Sequence, residues 1–307
     1  MTRAQYDALT NYRGCNADGR CPMVLINGGN PNLQPERSRS YTAGIVLQPA
    51  FLPGFSATID WYDIQIEGAF EWSRWNLAFD QCYNGKVQFW CGIYKRDPQN
   101  GQLKEVDARY SNSGYLKSRG IDFATNYSLD TRRLGLDDGG IVNLSFNGTF
   151  ATKLERQFAP GAPSWSCLGY HGFACGEPVP KWRHVAGVNW AFPRNKGGLG
   201  FTWRYTGGTS VSKLSTDTAL AARPSLNYPD TYPLIRKLPA VSYLDFNTNL
   251  ALTRSLDVRF NVQNLFDTDP PIIGRDRDWA VGSTFNTYPA YYAIRGRTLR
   301  VGLTARF

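Results

Sequence analysis

The segment Leu299-Arg300-Val301-Gly302-Leu303-Thr304-Ala305-Arg306-Phe307 decides the fold class of this chain. Every odd position in it is apolar, whereas Arg300, Thr304 and Arg306 lie between the apolar residues. Such strict alternation predicts a β-strand with one apolar face and one polar face. Chain termini are usually poorly ordered, so a terminal segment as regular as this one is unusual.

Other segments of the chain carry the same period of two. In residues 256–262, for example, four apolar residues alternate with Asp257, Arg259 and Asn261. We predict nine strands and an all-β chain of antiparallel strands. The nine predicted strands are 39–48, 55–67, 115–129, 140–153, 182–192, 198–206, 240–252, 256–266 and 297–307. The alternation also places Arg204, Arg259 and Arg300 on the polar face, where Asp245, Asp257 and water are available to them.

The connections between these strands alternate between short and long. The short connections are 49–54, 130–139, 193–197 and 253–255, and the long ones are 68–114, 154–181, 207–239 and 267–296. A compact soluble domain seldom holds long connections without structure of their own. Outer-membrane β-barrels combine short periplasmic turns with long extracellular loops. The pattern therefore favours a transmembrane β-barrel over a soluble β-sandwich, although both show alternation.

Composition and motifs exclude several classes of function. The chain has 307 residues and a formal net charge of +9, but its basic residues are scattered singly, so we predict no nucleic-acid partner. No run of about 18 apolar residues is present for a transmembrane helix. The only histidines are His171 and His184, and no catalytic serine motif or phosphate-binding glycine loop occurs. We predict no enzyme, no cofactor and no metal site.

The six cysteines occur as three local pairs. These are Cys15 with Cys21, Cys82 with Cys91, and Cys167 with Cys175. Their even number and close spacing predict three disulfides formed in an oxidising compartment, and the spacings do not suit a zinc site. The first residues lack the apolar core of a secretory signal. Either the protein stays in the cytoplasm or the sequence is part of a longer chain, and the cysteines favour the second interpretation.

Five segments, taken in order, resemble the C-terminal half of a TonB-dependent receptor, a ligand-gated transporter of Gram-negative outer membranes. They are residues 30–38 (NPNLQPERS) with 41–44 (YTAG), 57–64 (ATIDWYDI), 118–122 (SRGID), 262–267 (VQNLFD) and the terminal strand. From the residues alone, Asn264 and Asp267 are expected to cap the end of a strand where the backbone turns into a loop. Each segment is weak evidence taken singly, and the order of all five makes the resemblance specific.

The resemblance implies an organisation for the chain. The family forms 22-stranded barrels whose lumen is plugged by an N-terminal domain. Residues 1–307 would then be a partial barrel domain of about nine strands, without the plug domain and not competent for transport alone. The implied location is the outer membrane of a Gram-negative bacterium. The implied partners are outer-membrane lipid, the TonB complex through the missing N-terminal part, and the barrel-assembly machinery through the last strand and its Phe307.

The resemblance also implies uptake of a small ligand, of the siderophore, cobalamin or oligosaccharide class. Aromatic rings in the long connections are candidate ligand contacts, because rings stack on sugars and flat chelates. The candidates are Trp72, Trp75, Trp90 and Trp165. The alternative is that these rings pack the connections together or lie at the membrane interface. Two other functions stay open, a surface carbohydrate-binding or adhesive β-protein and a passive porin.

Overall fold

The computed structural model describes most of the chain. The described residues are 24–72, 75–83, 87–99, 101, 103–112, 114–136, 139–157, 159–172, 175–217, 220, 236–272 and 287–306, with backbone alone at 72, 75–77, 80 and 213. Cys15, Cys21 and Phe307 lie outside the described residues.

Strands dominate the secondary structure. In chain order they are β1 (Val24–Ile26), β2 (Arg37–Leu47), β3 (Phe55–Glu67), β4 (Phe70–Trp72), β5 (Tyr94–Arg96), β6 (Leu103–Asp107), β7 (Tyr110–Asn112), β8 (Tyr115–Asp130), β9 (Ile141–Gln157), β10 (Trp165–Ser166), β11 (Tyr170–His171), β12 (Trp182–Ala191), β13 (Gly197–Thr206), β14 (Thr209–Val211), β15 (Lys237–Leu238), β16 (Val241–Ala251), β17 (Leu256–Gln263) and β18 (Thr298–Ala305). The helices are α1 (Trp75–Tyr83) and α2 (Gln88–Cys91), with 3₁₀ turns at Thr131–Leu134, Pro193–Asn195 and Ser212–Leu214. No helix in the described part of the chain is long and apolar enough to cross a membrane.

Nine of these strands form the main sheet, in the order β18-β17-β16-β13-β12-β9-β8-β3-β2, with β10 paired to β9. They are the nine strands predicted from the sequence. The bounds agree within four residues, and β3 spans the predicted residues 55–67. From β9 to β18 the pairing is antiparallel throughout. Among the described pairings, β2 and β18 are the two edges, so the sheet is not closed.

The register of the main sheet gives it two chemically different faces. One cross-strand row consists of Leu144, Val188, Phe201, Phe246, Val262 and Leu299. The next row along the strands consists of Asn143, Asn189, Gly200, Asn247, Asn261 and Arg300. Because successive side chains of a strand point to opposite sides, the first row belongs to an apolar face and the second to a polar face. Val188 and Leu299 are 46% and 61% exposed, so protein does not cover them.

The long connections contain structure of their own. In the compact unit drawn from residues 1–40, 64–117 and 155–166, β1 pairs in parallel with β6, β6 pairs with β5, and β4 pairs with β7. The most buried apolar side chains described in this unit are each at most 1% exposed, and they are those of Ala78, Trp90, Val106, Ala108, Ala159 and Trp165. The sequence predicted the length of these connections but not their small sheets.

The second compact unit is drawn from residues 41–63, 118–154 and 167–307. Here β11 pairs in parallel with β14, and β14 pairs with β15. A core of Leu238, Val241, Tyr243, Tyr288 and Tyr292 packs beside them. The small sheet joins the connections 154–181 and 207–239, and the apolar cluster joins Leu238 of the second connection to Tyr288 and Tyr292.

Two of the three predicted disulfides, Cys82–Cys91 and Cys167–Cys175, are present among the described residues, and the predicted Cys15–Cys21 pair lies outside them. Both described disulfides lie in long connections, as predicted.

Peptide mapping of the exported protein under non-reducing conditions is expected to recover these two disulfides and a Cys15–Cys21 disulfide. Removing either described disulfide is expected to lower the free energy of unfolding by about 2 kcal/mol, because each closes a short loop in the unfolded chain. Free thiols at Cys82 or Cys167 would contradict the oxidising compartment.

Candidate functional site

A cleft of about 570 Å³ opens across β3, β8, β9, β12 and β13. Most of the side chains that line it belong to the polar face, because each strand contributes alternate residues. The charged and amide-bearing members are Asp60, Asp122, Asn147, Arg183 and Arg204, accompanied by Thr58, Thr149 and Thr206. The cleft is therefore a polar site, able to bind a ligand by hydrogen bonds and charge.

Strand register brings these residues together from distant parts of the sequence. Thr149 pairs with Arg183, and Arg183 pairs with Thr206 on the next strand. One residue pair further along, Asn147, Val185 and Arg204 form the neighbouring row. A ligand in the cleft would therefore meet side chains from several strands at once.

Arg204 is held rigidly at the base of this arrangement. Its Nε and Nη2 donate to the two carboxylate oxygens of Asp245 at 2.7 and 2.9 Å. Its guanidinium carbon lies 5.1 Å from the centroid of the Tyr243 ring. Such a two-pronged contact orients the guanidinium before a ligand arrives, so little ordering is lost on binding. The pairing of Arg204 with Asp245 confirms the expectation from the alternation, whereas Asp257 accepts from Arg306 at 2.6 Å.

The acidic residues lie on other strands of the cleft. Asp60 is on β3 and Asp122 is on β8, and both are exposed, as is Arg183 on β12. The cleft thus carries accessible groups of both signs. Among the described residues no group of three or more His, Cys, Asp or Glu side chains could hold a metal ion. The chemistry available in the cleft is recognition by hydrogen bonds and ion pairs.

The segment 264–267 begins the connection from β17 to β18. Asn264 and Asp267 have φ values of 55° and 56°, in the left-handed region that asparagine and aspartate tolerate. The Asn264 side chain accepts from the backbone N–H of Thr268 and donates to its carbonyl, both at 2.9 Å. The Asp267 carboxylate accepts from the backbone N–H of Arg297 at 2.7 Å. The expected capping role of both residues is confirmed.

This turn is also linked to the cleft. The backbone N–H of Asn264 donates to Oδ1 of Asp245 at 2.8 Å, the same carboxylate that holds Arg204. On the neighbouring row, the Tyr243 hydroxyl accepts from the backbone N–H of Ala293 at 3.1 Å. Two residues of β16 therefore join the polar face to the connection between β17 and β18.

The connections of the second unit are packed firmly. Nδ1 of His171 lies 2.9 Å from Oγ1 of Thr209, and both side chains are buried. The Tyr288 ring packs edge-on against His171 at 6.4 Å. Burial raises the pKa of Tyr292 to about 12, so this phenol stays neutral at physiological pH. These contacts order the connections before any ligand binds.

The four tryptophans singled out in the sequence occupy the first unit. Trp90 and Trp165 are each 1% exposed, so a ligand reaches them only if the surrounding segment opens. The backbone of Trp72 lies in β4 and that of Trp75 in α1.

The sequence analysis placed Arg204 correctly on the polar face but did not single out the cleft residues Asp60, Asp122 or Arg183. The sequence signal that could have identified these three residues is a charged side chain at a polar-face position of a predicted strand.

Comparison with known proteins gives the family. The profile described as "TonB dependent receptor-like, beta-barrel" matches residues 2–265. Among proteins with curated annotation, none matches the chain significantly in sequence.

The solved structures that are similar to this chain include receptors from three species. A point mutant of the ferric enterobactin receptor PfeA of Pseudomonas aeruginosa has 15% identity and a TM-score of 0.55, over 92% of this chain and 32% of that one. The siderophore receptor PirA of Acinetobacter baumannii has 14% identity and a TM-score of 0.53, over 97% and 35%. The F3-3 variant of the iron transporter FrpB of Neisseria meningitidis has 14% identity and a TM-score of 0.52, over 92% and 33%.

At 14–15% sequence identity, the structural similarity supports a shared fold and nothing further. The chain spans about a third of the length of these relatives. The family profile matches well over half of the chain. The chain belongs to the TonB-dependent receptor-like β-barrel family.

Proposed function

We propose that this chain supplies part of the barrel wall and of the ligand-binding surface of an outer-membrane receptor. The receptor takes up a scarce small ligand with energy delivered through TonB. The observation that carries the proposal is the two-faced main sheet, with an exposed apolar face and a charged cleft on the polar face. Residues 1–307 act as a partial barrel domain that works together with a plug domain and does not transport alone.

The apolar face supports placement in the outer membrane of a Gram-negative bacterium. Trp182 and Trp190 lie at the two ends of the apolar run of β12, about 27 Å apart along an extended strand. Trp182 stacks on Phe146, and Trp190 packs edge-on against Phe192. Barrels of this type carry an apolar band of about 25 Å between two aromatic girdles. The partners on this face are lipid and, during assembly, the machinery that reads the last strand and Phe307.

The proposed ligand belongs to the siderophore class. The solved relatives named above include a ferric enterobactin receptor and a siderophore receptor. The cleft suits such a ligand because Arg204 is fixed by Asp245 and Arg183 is accessible. Trp72, Trp75, Trp90 and Trp165 are further proposed ligand contacts on the sequence argument. The first three lie between β3 and β8, and Trp165 lies in β10. Trp90 and Trp165 would contact a ligand only when the segments that bury them open. Cobalamin and oligosaccharides are the competing ligands, and the test below includes a probe for each.

The test is uptake by cells that express the complete receptor, with ⁵⁵Fe-enterobactin, labelled cyanocobalamin and labelled maltodextrin as probes. We expect accumulation of ⁵⁵Fe that stops when TonB is deleted. Arg183→Gln is expected to weaken binding of the iron complex about tenfold, because a charge-assisted hydrogen bond is lost. Arg259→Gln is the matched control, since Arg259 lies on the same face but on β17, away from the cleft.

The other outcomes separate the competing functions. Uptake that persists without TonB would make the protein a passive porin. Surface retention of maltodextrin without uptake would make it a carbohydrate-binding or adhesive protein. Equal loss of binding in Arg183→Gln and Arg259→Gln would contradict the assignment of the cleft.

A further inference from the structure

Two aspartates of the cleft have no partner in the described part of the chain. Asp60 on β3 and Asp122 on β8 line the cleft with exposed side chains. Neither carboxylate forms a hydrogen bond or an ion pair with another described residue. By contrast Asp63, on the same strand as Asp60, accepts from Nε of Arg119 at 3.1 Å. We refer to Asp60 and Asp122 as the acidic pair.

The acidic pair occupies opposed positions on neighbouring strands. The backbone N–H of Ser128 donates to the carbonyl of Gly54 at 2.9 Å, and Arg119 donates to Asp63. Both contacts fit one antiparallel register of β3 and β8, in which the two members of the acidic pair are directly opposite. Like charges at such positions destabilise a sheet. A cation bound between them would remove that cost.

The Asp60 carboxylate is turned away from Asp122. It occupies the space that a Cβ at Gly44 of β2 would fill, and β2 and β8 flank β3 on opposite sides. The separation leaves room for a bound group between the two carboxylates.

The cations of the polar face that flank the cleft do not neutralise the acidic pair. Arg204 is bonded to Asp245. Arg183 is on β12, and β9 separates β12 from β8, so two interstrand spacings or about 10 Å lie between Arg183 and the acidic pair. Lys153 is four residues beyond the cleft residue Thr149 on β9, or about 13 Å along the strand. The acidic pair is therefore accessible to a cation from outside the chain.

An ammonium group suits the acidic pair better than a metal ion does. Calcium takes about six or more oxygen ligands, and the described residues hold no group of three or more His, Cys, Asp or Glu side chains that could bind a metal. A primary ammonium donates hydrogen bonds to carboxylates and hydroxyl groups, and Thr58 and Thr149 add hydroxyl oxygens to the lining. Glu177, which is bonded to Tyr291 near Arg183, adds negative charge at the other end of the cleft.

We infer that the acidic pair binds the protonated amine of a ferric siderophore. The ammonium group lies between Asp60 and Asp122, and the iron-bound oxygens of the same chelate accept from Arg183 about 10 Å away. The inference rests on the proposed function and narrows its ligand. Within the siderophore class, a chelate with a free ammonium group binds more tightly than the same chelate without it.

The test uses the complete receptor in detergent and isothermal titration calorimetry with two probes. Ferrioxamine B carries one free ammonium group, and N-acetylferrioxamine B is the same iron chelate with that group converted to an amide. The wild type is expected to bind ferrioxamine B at least about tenfold more tightly, because only this probe forms charge-assisted hydrogen bonds with the acidic pair. Asp60→Asn/Asp122→Asn is expected to abolish the difference by weakening the binding of ferrioxamine B alone.

The matched control is Asp130→Asn/Asp257→Asn, which removes the same charge away from the cleft. Asp130 ends β8, eight residues from Asp122, and Asp257 lies on β17. The control is expected to prefer ferrioxamine B as the wild type does, and heat-modifiable gel migration verifies that both variants fold.

Several outcomes would overturn the inference. They are equal binding of the two probes by the wild type, no binding of either probe, and equal loss of the preference in variant and control. Calcium binding that the variant abolishes would also overturn it, because the acidic pair would then be a metal site. Iron uptake that depends on TonB but shows no preference for ferrioxamine B overturns only the ammonium site, whereas uptake that persists without TonB overturns the proposed function.

Discussion

Val188→Arg is expected to destabilise the membrane-inserted receptor by about 2–4 kcal/mol. Val188 lies in the apolar row between Leu144 and Phe201, and its side chain is 46% exposed. In the proposed membrane placement this position contacts lipid hydrocarbon. An arginine there must therefore move its charge out of water. A loss of this size is a large fraction of the free energy of unfolding of a typical domain, so we expect most of the variant to fail assembly. Heat-modifiable migration of the outer-membrane fraction measures the assembled share.

The adjacent residue provides the control. Asn189 is next to Val188 on β12 but on the polar face, where it pairs with Asn143 and Gly200. Asn189→Arg is expected to assemble like the wild type, because its charge remains in a polar, hydrated space. If both variants assemble equally well, the apolar face is not in contact with lipid, and the transporter assignment falls with it.

Asp245→Ala has the second large expected effect, a loss of about 2–3 kcal/mol in the free energy of unfolding. The carboxylate accepts two hydrogen bonds from Arg204 and one from the backbone N–H of Asn264. Its removal leaves a half-buried guanidinium without its partner and loosens the turn after β17. The free energy of unfolding is measured by denaturation with guanidinium chloride in detergent, followed by tryptophan fluorescence.

A double variant separates the ion pair from the turn. Asp245→Ala/Arg204→Gln removes the unpaired charge, so it is expected to recover part of the stability that Asp245→Ala loses. The unrecovered part reports the bond to Asn264. If the double variant loses the sum of the two single losses, Arg204 and Asp245 do not depend on each other, and the preorganised base of the cleft is not supported.

The strands of the main sheet could be predicted because each carries its two faces in its own sequence. Residues 55–67 were predicted as a strand and form β3 with the same bounds. The strand predicted over 256–266 ends earlier, at Gln263. Leu265 and Phe266 extend the apolar pattern, but Asn264 adopts a positive φ and caps the strand with its side chain. A hydrogen-bonded turn overrides alternation at that point.

The small sheets of the long connections could not be predicted in this way. Val24 pairs with Glu105, and Tyr170 pairs with Ser210. Apart from β6, these strands have only two or three residues, which is too short to show a period. Val24 and Tyr170 also have partners that are distant along the chain. The burial of Trp90 and Trp165 has the same origin, because a tertiary core and not local sequence removes these rings from solvent.

Local alternation was sufficient to establish an all-β chain, the position of nine strands and the two-faced sheet, because a residue's face depends only on its position along its own strand. The order and register of the strands decided the cleft, since they place Asp60, Asp122 and Arg183 from three separate strands around one space. They also joined the turns that carry Lys196 and Arg254. Those arrangements depend on hydrogen bonds between residues far apart in the chain, and no short stretch of sequence encodes such contacts.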